Sequence, residues 1–278
     1  MYTMSGIGKL RILFNSCFNI NIKDESGKTA LIRASIKGRR NIVELLLNRN
    51  AKPNIVDNYY LTALNYASAK DHTDIVEILL DKGTDPNIKN MFGRTELMFA
   101  SLRGNIEIVE ILLDKGADLY IVDNEGYTAL MYASREGRIE VVELLLDHGA
   151  DPNITWHGAT ALIHTSEIGH TDIVELLLDK GADPNITNKG GKTALIHASE
   201  KGHTDIVKLI KGNMALQNAL QNLALAKSMV SLSYDSPLEY LDYDIMKEIM
   251  IHTRIYNHSV HMRMKGKRMK GCFGIFYL

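Results

Sequence analysis

Histidine and cysteine are the residues of this chain best suited to binding a metal. The chain has ten histidines but only two cysteines, Cys17 and Cys272. Cysteines so far apart form neither a CxxC pair nor a disulfide framework, and they fit a reducing compartment. His164 and His197 are 33 positions apart, and no carboxylate or cysteine spacing completes a ligand set with them. The sequence therefore predicts no metal site and no cofactor.

Serine is the most regular candidate nucleophile, and its regularity is the argument against that role. A side chain that returns at a fixed period indicates a structural position, whereas a nucleophile lies on one sharp turn. Gly191-Lys192-Thr193 ends like a phosphate-binding loop, but the upstream glycine has the wrong spacing and no parallel-sheet pattern surrounds it. We predict that the protein is not an enzyme. The recurring serines are Ser35, Ser68, Ser101, Ser134, Ser166 and Ser199.

Charge and hydropathy exclude several other classes of function. The 278 residues include 32 Lys and Arg against 33 Asp and Glu, and 45% are hydrophobic. A near-zero net charge argues against a protein that binds nucleic acid along its whole length. Short, interrupted apolar runs predict neither secretion nor a membrane span. We expect an intracellular, cytoplasmic monomer. The basic cluster from Arg263 to Lys270 would also fit a nuclear location.

The elements that position these residues are repeats, because three phrases recur with almost the same period. Thr-(Ala/Glu)-Leu returns at spacings of 33, 33, 33, 32 and 33 residues. An Ile-Val-Glu-Leu-Leu-Leu phrase follows each copy, and a complete or varied Gly-Ala-Asp-Pro-Asn-Ile phrase follows five of them. Three phased signals indicate a repeat architecture. The tripeptides begin at Thr29, Thr62, Thr95, Thr128, Thr160 and Thr193.

Each phrase has a physical role. Threonine caps the start of a first helix, and small Ala residues within it allow neighbouring helices to approach closely. A glycine such as Gly169 ends that helix in the left-handed conformation. The Ile-Val and Leu-Leu pairs form the apolar stripe of a second helix, which a glycine and an Asp-Pro pair then end. A single unit of this size cannot bury its apolar face, so neighbouring units must stack.

With these phrases the chain resembles the ankyrin-repeat family. The family pattern is Asp-x-x-Gly-x-Thr-Pro-Leu-His-x-Ala-Ala-x-x-Gly-His-x-x-Ile-Val-x-Leu-Leu-Leu-x-x-Gly-Ala-Asp-Val-Asn, and the match runs from Asp24 to about Lys211. The resemblance implies an all-α solenoid of helix-turn-helix-finger units with a C-terminal helical cap. This chain departs from the pattern in carrying Ala, or Glu96 in the third copy, where the family has Pro.

The same comparison of phrases predicts the organisation of the chain. A truncated capping repeat precedes the repeats, and two further helical segments follow them. The predicted segments are the truncated repeat 1–23, the six repeats 24–56, 57–89, 90–122, 123–155, 156–187 and 188–211, a capping helix 212–234, and an amphipathic helix with a basic tail 235–278.

The resemblance also implies a protein-binding surface, because in this family the finger tips and first helices line a concave face that binds proteins. Aromatic residues fall on successive fingers here, and aromatic residues and Arg are enriched in binding hot spots. The alternative is that some of them fold onto the finger of the next repeat. The fifth finger is one residue shorter, which is either a specialised pocket or a neutral deletion. The predicted binding residues are Tyr59, Tyr60, Tyr66, Phe92, Arg94, Phe99, Arg103, Tyr127, Tyr132, Arg135, Trp156 and His157.

The exit phrases carry a further expectation that comes from the resemblance alone. An asparaginyl hydroxylase can modify the Asn of this phrase in ankyrin proteins. The primary role of these side chains is to form hydrogen bonds that hold the turn. The corresponding residues are Asn54, Asn87, Asn153 and Asn185, and Tyr120 interrupts the series.

The run 238–250 resembles the opening of an F-box, with Asp242 where that motif usually has Pro. Large DNA viruses carry ankyrin proteins whose truncated F-box-like C-termini recruit cullin-based ubiquitin ligases. The alternative function is therefore a substrate-recruiting adaptor of such a ligase. The other interpretation of this run is an amphipathic helix that only caps the repeats. The amino-acid sequences of the repeats resemble those of ankyrin repeats from giant viruses and intracellular bacteria. This resemblance implies a role in manipulating a host cell. The predicted ligase-docking residues are Leu238, Leu241, Ile245 and Ile249.

Overall fold

The computed structural model describes residues 19–232, which contain twelve α-helices. The chain divides into two compact units, residues 1–206 and residues 207–278. The helices are α1 (Ala30–Ile36), α2 (Arg40–Asn48), α3 (Ala63–Ala69), α4 (Thr73–Asp81), α5 (Glu96–Arg103), α6 (Ile106–Asp114), α7 (Ala129–Arg135), α8 (Ile139–Asp147), α9 (Ala161–Ile168), α10 (Thr171–Asp179), α11 (Ala194–Glu200) and α12 (Thr204–Leu232).

Helices α1 to α11 stack in chain order within the first unit, and the first ten of them form five helix pairs. Each odd-numbered helix, called a first helix below, contacts the next odd-numbered helix along the chain. The even-numbered second helices α2 to α10 contact one another in the same order, and each packs against the first helix of its own repeat. In the described part of the chain the only β-pairing is a bridge between Trp156 and Ala159. The fold is an all-α repeat solenoid.

The core of the stack consists of small and large apolar residues from the first helices and aliphatic residues from the second. Ala67, Ala100 and Ala133 are completely buried, which lets neighbouring first helices approach closely. The equivalent residue in the fifth repeat is Thr165, whose hydroxyl donates to the carbonyls of Ala161 and Leu162. This bond satisfies a buried hydroxyl that would otherwise lack a partner.

Threonine caps five of the six first helices, as the sequence predicts. In each of the five the hydroxyl accepts a hydrogen bond from the backbone N–H three residues later. Thr62 and Asn65 additionally form a reciprocal capping box. Thr95 makes no such bond, and it is the residue that precedes Glu96.

Glycines after the first helices leave room for a side chain of the next repeat. A Cβ atom on Gly169 would lie 2.7 Å from Cε1 of His203, and Gly169 has φ of +102°. The His203 Nε2 atom lies 3.2 Å from the carbonyl oxygen of Glu167, so the ring bridges two repeats. His170 makes the same contact with the carbonyl of Arg135 at 3.1 Å. These histidines therefore have a structural role.

Replacing Gly169 by alanine should lower the free energy of unfolding by about 2 kcal/mol, because the methyl group meets both left-handed strain and the His203 ring. The matched control is Gly181→Ala, where φ is +87° and nothing lies within 4 Å of the added Cβ atom. That variant should lose only the strain, about 1 kcal/mol. Urea unfolding followed by circular dichroism measures both. Equal losses would contradict the close-approach argument.

The last helix differs from the sequence prediction. The second helix of the sixth repeat and the separate capping helix predicted at 212–234 are one continuous helix, Thr204–Leu232. The sixth repeat lacks the Gly-Ala-Asp-Pro-Asn phrase that ends the earlier second helices, and good helix formers follow Gly212 instead. None of the described helices is long and apolar enough to cross a membrane.

Candidate protein-binding surface

A turn that we call a finger precedes each first helix, and a side chain at its base shapes it. The Asp123 carboxylate accepts hydrogen bonds from the backbone N–H groups of Glu125 and Tyr127, at 3.0 and 2.9 Å. Asp and Asn side chains that bond to nearby N–H groups in this way stabilise tight turns. The fingers are residues 24–28 (finger 1), 57–61 (finger 2), 90–94 (finger 3), 123–127 (finger 4), 156–159 (finger 5) and 188–192 (finger 6).

Finger 5 lacks this acid and closes differently. The backbone groups of Trp156 and Ala159 bond in both directions, at 2.9 and 2.7 Å. His157 and Gly158 between them have φ of +48° and +82°, as in the two-residue turns of β-hairpins. The missing residue thus converts this finger into a short hairpin turn.

Fingers join in pairs through hydrogen bonds and a buried acid. The N–H of Asn124 donates to the carbonyl of Phe92 at 3.0 Å, which ties finger 4 to finger 3. Arg94 Nε lies 3.1 Å from Asp123 Oδ2, and the Tyr132 hydroxyl donates to the same oxygen at 2.6 Å. Burial alone would raise the pKa of Asp123, but these bonds hold it below its ordinary value.

The same arrangement joins finger 2 to finger 1. Lys28 Nζ lies 3.0 Å from Asp57 Oδ2, and the Tyr66 hydroxyl donates to that oxygen at 2.7 Å. The Asn58 N–H donates to the carbonyl of Ser26 at 3.3 Å. Finger 6 is likewise tied to finger 5 by Lys189, whose N–H donates to the carbonyl of His157 at 3.0 Å. No hydrogen bond between fingers 2 and 3, or between fingers 4 and 5, is found in residues 19–232.

Fingers 2 and 3 expose large apolar side chains at their tips. Tyr59 is 60% exposed, Tyr60 56%, Met91 53% and Phe92 56%. Lys28 lies over the Tyr59 ring and Arg94 over the Phe92 ring, each 5.8 Å from the ring centre. A cluster of exposed aromatic side chains beside cations is typical of a binding surface.

Fingers 4 and 5 present a different picture, and the expectation of exposed aromatic side chains is wrong for two residues. Tyr127 is 7% exposed and Tyr132 2%. The Trp156 ring covers Tyr127, with ring centres 4.8 Å apart, and His164 stacks on the same ring at 5.5 Å. Burial lowers the pKa of His164, which favours the neutral form of the imidazole in this cluster. For Tyr127 the alternative of packing against the next finger is the observed one.

Side chains of the first helices reach the fingers, so both belong to one surface, called the finger face below. The Arg135 guanidinium lies 5.6 Å from the Tyr127 ring centre and 5.3 Å from that of Tyr132. Of the other predicted binding residues, His157 is exposed, and the rest are half-buried. The half-buried ones are Tyr66, Arg94, Phe99, Arg103, Arg135 and Trp156.

A buried carboxylate lies between repeats 2 and 3, and the sequence reasoning did not identify its partners. The Glu96 side chain is completely enclosed and accepts hydrogen bonds from Asn65 Nδ2 at 2.8 Å and from the Ser68 hydroxyl. Arg103 Nη2 forms an ion pair with it at 2.8 Å. Burial raises the pKa of Glu96, while Arg103 opposes the shift. The available signal was Glu96 in place of Ala, with an arginine two helical turns later.

A family model of three ankyrin repeats matches residues 3–90, 82–156 and 155–222. The chain is an ankyrin-repeat protein. Ankyrin repeats generally mediate protein–protein interaction, and the fold is typically a scaffold without catalytic activity. No curated protein matches the chain.

Solved ankyrin structures resemble most of this ankyrin-repeat protein. An ankyrin repeat domain from Acinetobacter baumannii AYE is 30% identical with a TM-score of 0.64, and the match covers 66% of this chain and 96% of that one. The ankyrin repeat protein EF0377 is 30% identical with a TM-score of 0.63, over 70% and 98%. The ankyrin repeat domain of Bcl-3, a member of the IkappaB protein family, is 28% identical with a TM-score of 0.68, over 73% and 91%.

The exit-phrase asparagines link consecutive ankyrin repeats. The side-chain oxygens of Asn54, Asn87 and Asn153 each accept a backbone N–H from the next repeat, at 2.9, 2.8 and 2.8 Å. Asn185 bonds instead to the side chain of Asp183. Tyr120, which replaces Asn in the third repeat, donates its hydroxyl to the carbonyl of Gly149 at 3.1 Å. Hydroxylation of these asparagines stays a prediction.

Two other sequence predictions concern different parts of this ankyrin-repeat protein. The ligase-docking residues Leu238, Leu241, Ile245 and Ile249 and the basic cluster lie outside the described residues. Within the described range no group of three or more His, Cys, Asp or Glu side chains is arranged to hold a metal ion.

Proposed function

We propose that this protein binds a protein partner through its finger face and works as an interaction scaffold, without catalysis. The observation that carries the proposal is the group Tyr59, Tyr60, Met91 and Phe92, four large apolar side chains more than half exposed on two neighbouring fingers. Aromatic side chains at the centre of a contact supply much of the energy of protein association. Exposing them to water without a partner carries no benefit for folding.

Photocrosslinking tests the proposal, with a photoreactive amino acid placed at Tyr59, at Phe92 or at Leu45. Leu45 is 51% exposed on α2, a second helix, and serves as the matched control. In a lysate of cells that naturally contain the protein, positions 59 and 92 should yield adducts with the same partner and position 45 none. Equal labelling from position 45, or no adduct from either finger, would contradict a binding role for this face.

Substitution then measures the contribution of the face. Phe92→Ala should weaken the interaction with the captured partner about tenfold, which corresponds to about 1.4 kcal/mol, because an exposed aromatic anchor is lost. Leu45→Ala should leave the affinity unchanged.

The adaptor alternative and the host-cell role extend the same proposal. The adaptor function rests on the sequence resemblance of the run 238–250, and the host-cell role rests on the amino-acid sequences of the repeats. A variant ending at residue 234 separates the two functions. If the protein is a ligase adaptor, this variant keeps the finger-face partner and loses cullin-ligase subunits, whereas a scaffold whose C-terminal segment is only a cap keeps its whole set of partners.

A further inference from the structure

The end of the stack at repeat 1 exposes apolar side chains at positions that the other repeats bury. Ile42 of α2 is 48% exposed, whereas its five equivalents are at most 2% exposed. Leu46 of α2 is half-buried and Ala30 of α1 is exposed, although the equivalent positions of repeats 2 to 6 are buried. Each of those repeats packs against the repeat before it. We call Ala30, Ile42 and Leu46 the end face. The equivalents of Ile42 are Ile75, Ile108, Val141, Ile173 and Ile206.

The residues that lead into repeat 1 have the bonds of an exit phrase. Asn21 Oδ1 accepts the backbone N–H of Lys52 at 2.8 Å. This is the bond that Asn54 Oδ1 makes with the N–H of Asp85, one repeat later, at 2.9 Å. The Asn19 side chain also shapes the turn, because its oxygen accepts the N–H of Asn21 at 3.0 Å. The phrase around Asn21 is therefore placed like the end of a repeat that comes before repeat 1.

The position of this phrase indicates which residues would form the second helix before it. In repeats 1, 2, 4 and 5 the second helix has nine residues and ends six residues before the exit-phrase asparagine, as Asp81 comes before Asn87. Six residues before Asn21 is Asn15. A nine-residue helix in the same register therefore covers residues 7–15.

The residues of this segment fit a second helix at the end of a stack. Leu10, Leu13 and Phe14 have the i, i+3, i+4 spacing of an apolar stripe. Lys9 has the position of Ile42, whose equivalents are buried wherever another repeat precedes. Burying a lysine without a partner is costly, and a terminal repeat presents a polar outer face instead. The match of the ankyrin family model begins at residue 3 and so includes this segment.

We propose that residues 7–15, which lie outside the described part of the chain, form a helix that packs on the end face. The apolar stripe of the segment faces α2 and covers Ile42 and Leu46, while Lys9 faces water. Burial of this apolar area drives the contact. The truncated repeat predicted at 1–23 thereby gains a definite register and a surface to cover. The cap closes this end of the stack to a second copy of the chain, and the proposed function does not depend on it.

Thiol labelling of the full-length chain tests whether the end face is covered. The variant Ile42→Cys is made in a background with Cys17→Ser and Cys272→Ser, so that it carries one thiol. A water-soluble maleimide should label it about tenfold more slowly than Tyr59→Cys, whose position is 60% exposed, because a covered thiol is protected. Labelling of the two variants at the same rate would overturn the inference.

Substitutions within the segment identify what covers the end face. Phe14→Asp should raise the labelling rate of Ile42→Cys about tenfold, because a carboxylate is not tolerated in place of a buried ring. Lys9→Asp is the matched control in the same segment and should leave the rate unchanged. Circular dichroism verifies that the repeats are folded in both variants. Equal rates in the two variants would show that this segment is not the cover.

Crosslinking tests the register without a disruptive substitution. Lys82 Nζ lies 3.1 Å from Asn48 Oδ1, and the same pair one repeat earlier is Arg49 and Asn15. In the thiol-free background a short bismaleimide should join Asn15→Cys to Arg49→Cys within one chain. Lys9→Cys should remain unlinked to Arg49→Cys, because it lies about 9 Å further along the helix. Equal yields from the two pairs would overturn the register. A crosslinked dimer would overturn the inference, because the occupant would then be a second copy.

Discussion

Arg103→Ala should lower the free energy of unfolding by about 3 kcal/mol, because it leaves the enclosed Glu96 carboxylate without its counter-charge. The loss should shrink as the pH falls. Burial raises the folded-state pKa of Glu96, so the folded protein takes up a proton at a pH where the unfolded chain is still ionised. Stability therefore rises as the pH falls through the folded pKa. Urea unfolding at several pH values between 7 and 5 measures the effect.

The reverse substitution should cost much less. In Glu96→Ala the half-exposed Arg103 can turn to water, and Ala is the residue that the other five repeats carry at this position. We expect a loss of about 1 kcal/mol, and the double variant should recover most of the stability that Arg103→Ala loses. Equal losses from the two single variants, or no recovery in the double variant, would show that Glu96 isn't the source of the cost.

Asp123→Ala should also lower the free energy of unfolding by about 3 kcal/mol. Its carboxylate accepts two backbone N–H groups, the Tyr132 hydroxyl and the Arg94 guanidinium, and removing it leaves several of these donors buried without an acceptor. Trp156 is the only tryptophan and its ring lies on that of Tyr127, so its fluorescence reports on this region during unfolding.

Asp123→Asn is the matched control, since Asn90 and Asn188 hold fingers 3 and 6 through the same two kinds of backbone bond. It should cost about 1 kcal/mol. The dependence of stability on pH should also distinguish the wild-type protein from Asp123→Asn. The folded pKa of Asp123 lies below its ordinary value, so its contribution is complete above about pH 4 and is lost as the pH falls further. The Asn variant should lack this component, and an identical acid profile would contradict the assignment.

The sequence predicts the architecture well because the same capping, packing and turn residues recur in successive repeats. Thr62 caps a helix, Ala67 lies where two helices meet, and Gly169 takes the left-handed conformation next to His203. These are local effects, and a local pattern suffices to predict them.

The candidate surface was less predictable, because the exposure of a finger residue depends on its neighbour. Tyr59 and Tyr127 occupy nearby positions on their fingers, yet only Tyr127 lies beneath a tryptophan from the next repeat. Whether Glu96 would find Arg103, Asn65 and Ser68 depended on side chains of two repeats meeting at one point. The period of the sequence does not contain that information.

The alternation of bonded and unbonded fingers bears on how such an array grows. Lys28, Asp57 and Tyr66 have the same contacts as Arg94, Asp123 and Tyr132, each 66 positions later. A segment of two repeats therefore carries a complete set of finger-to-finger bonds inside itself and presents unbonded fingers at both ends. Gene duplication or loss of such a two-repeat cassette would cut no hydrogen bond between fingers, whereas gain or loss of a single repeat would cut through a pair.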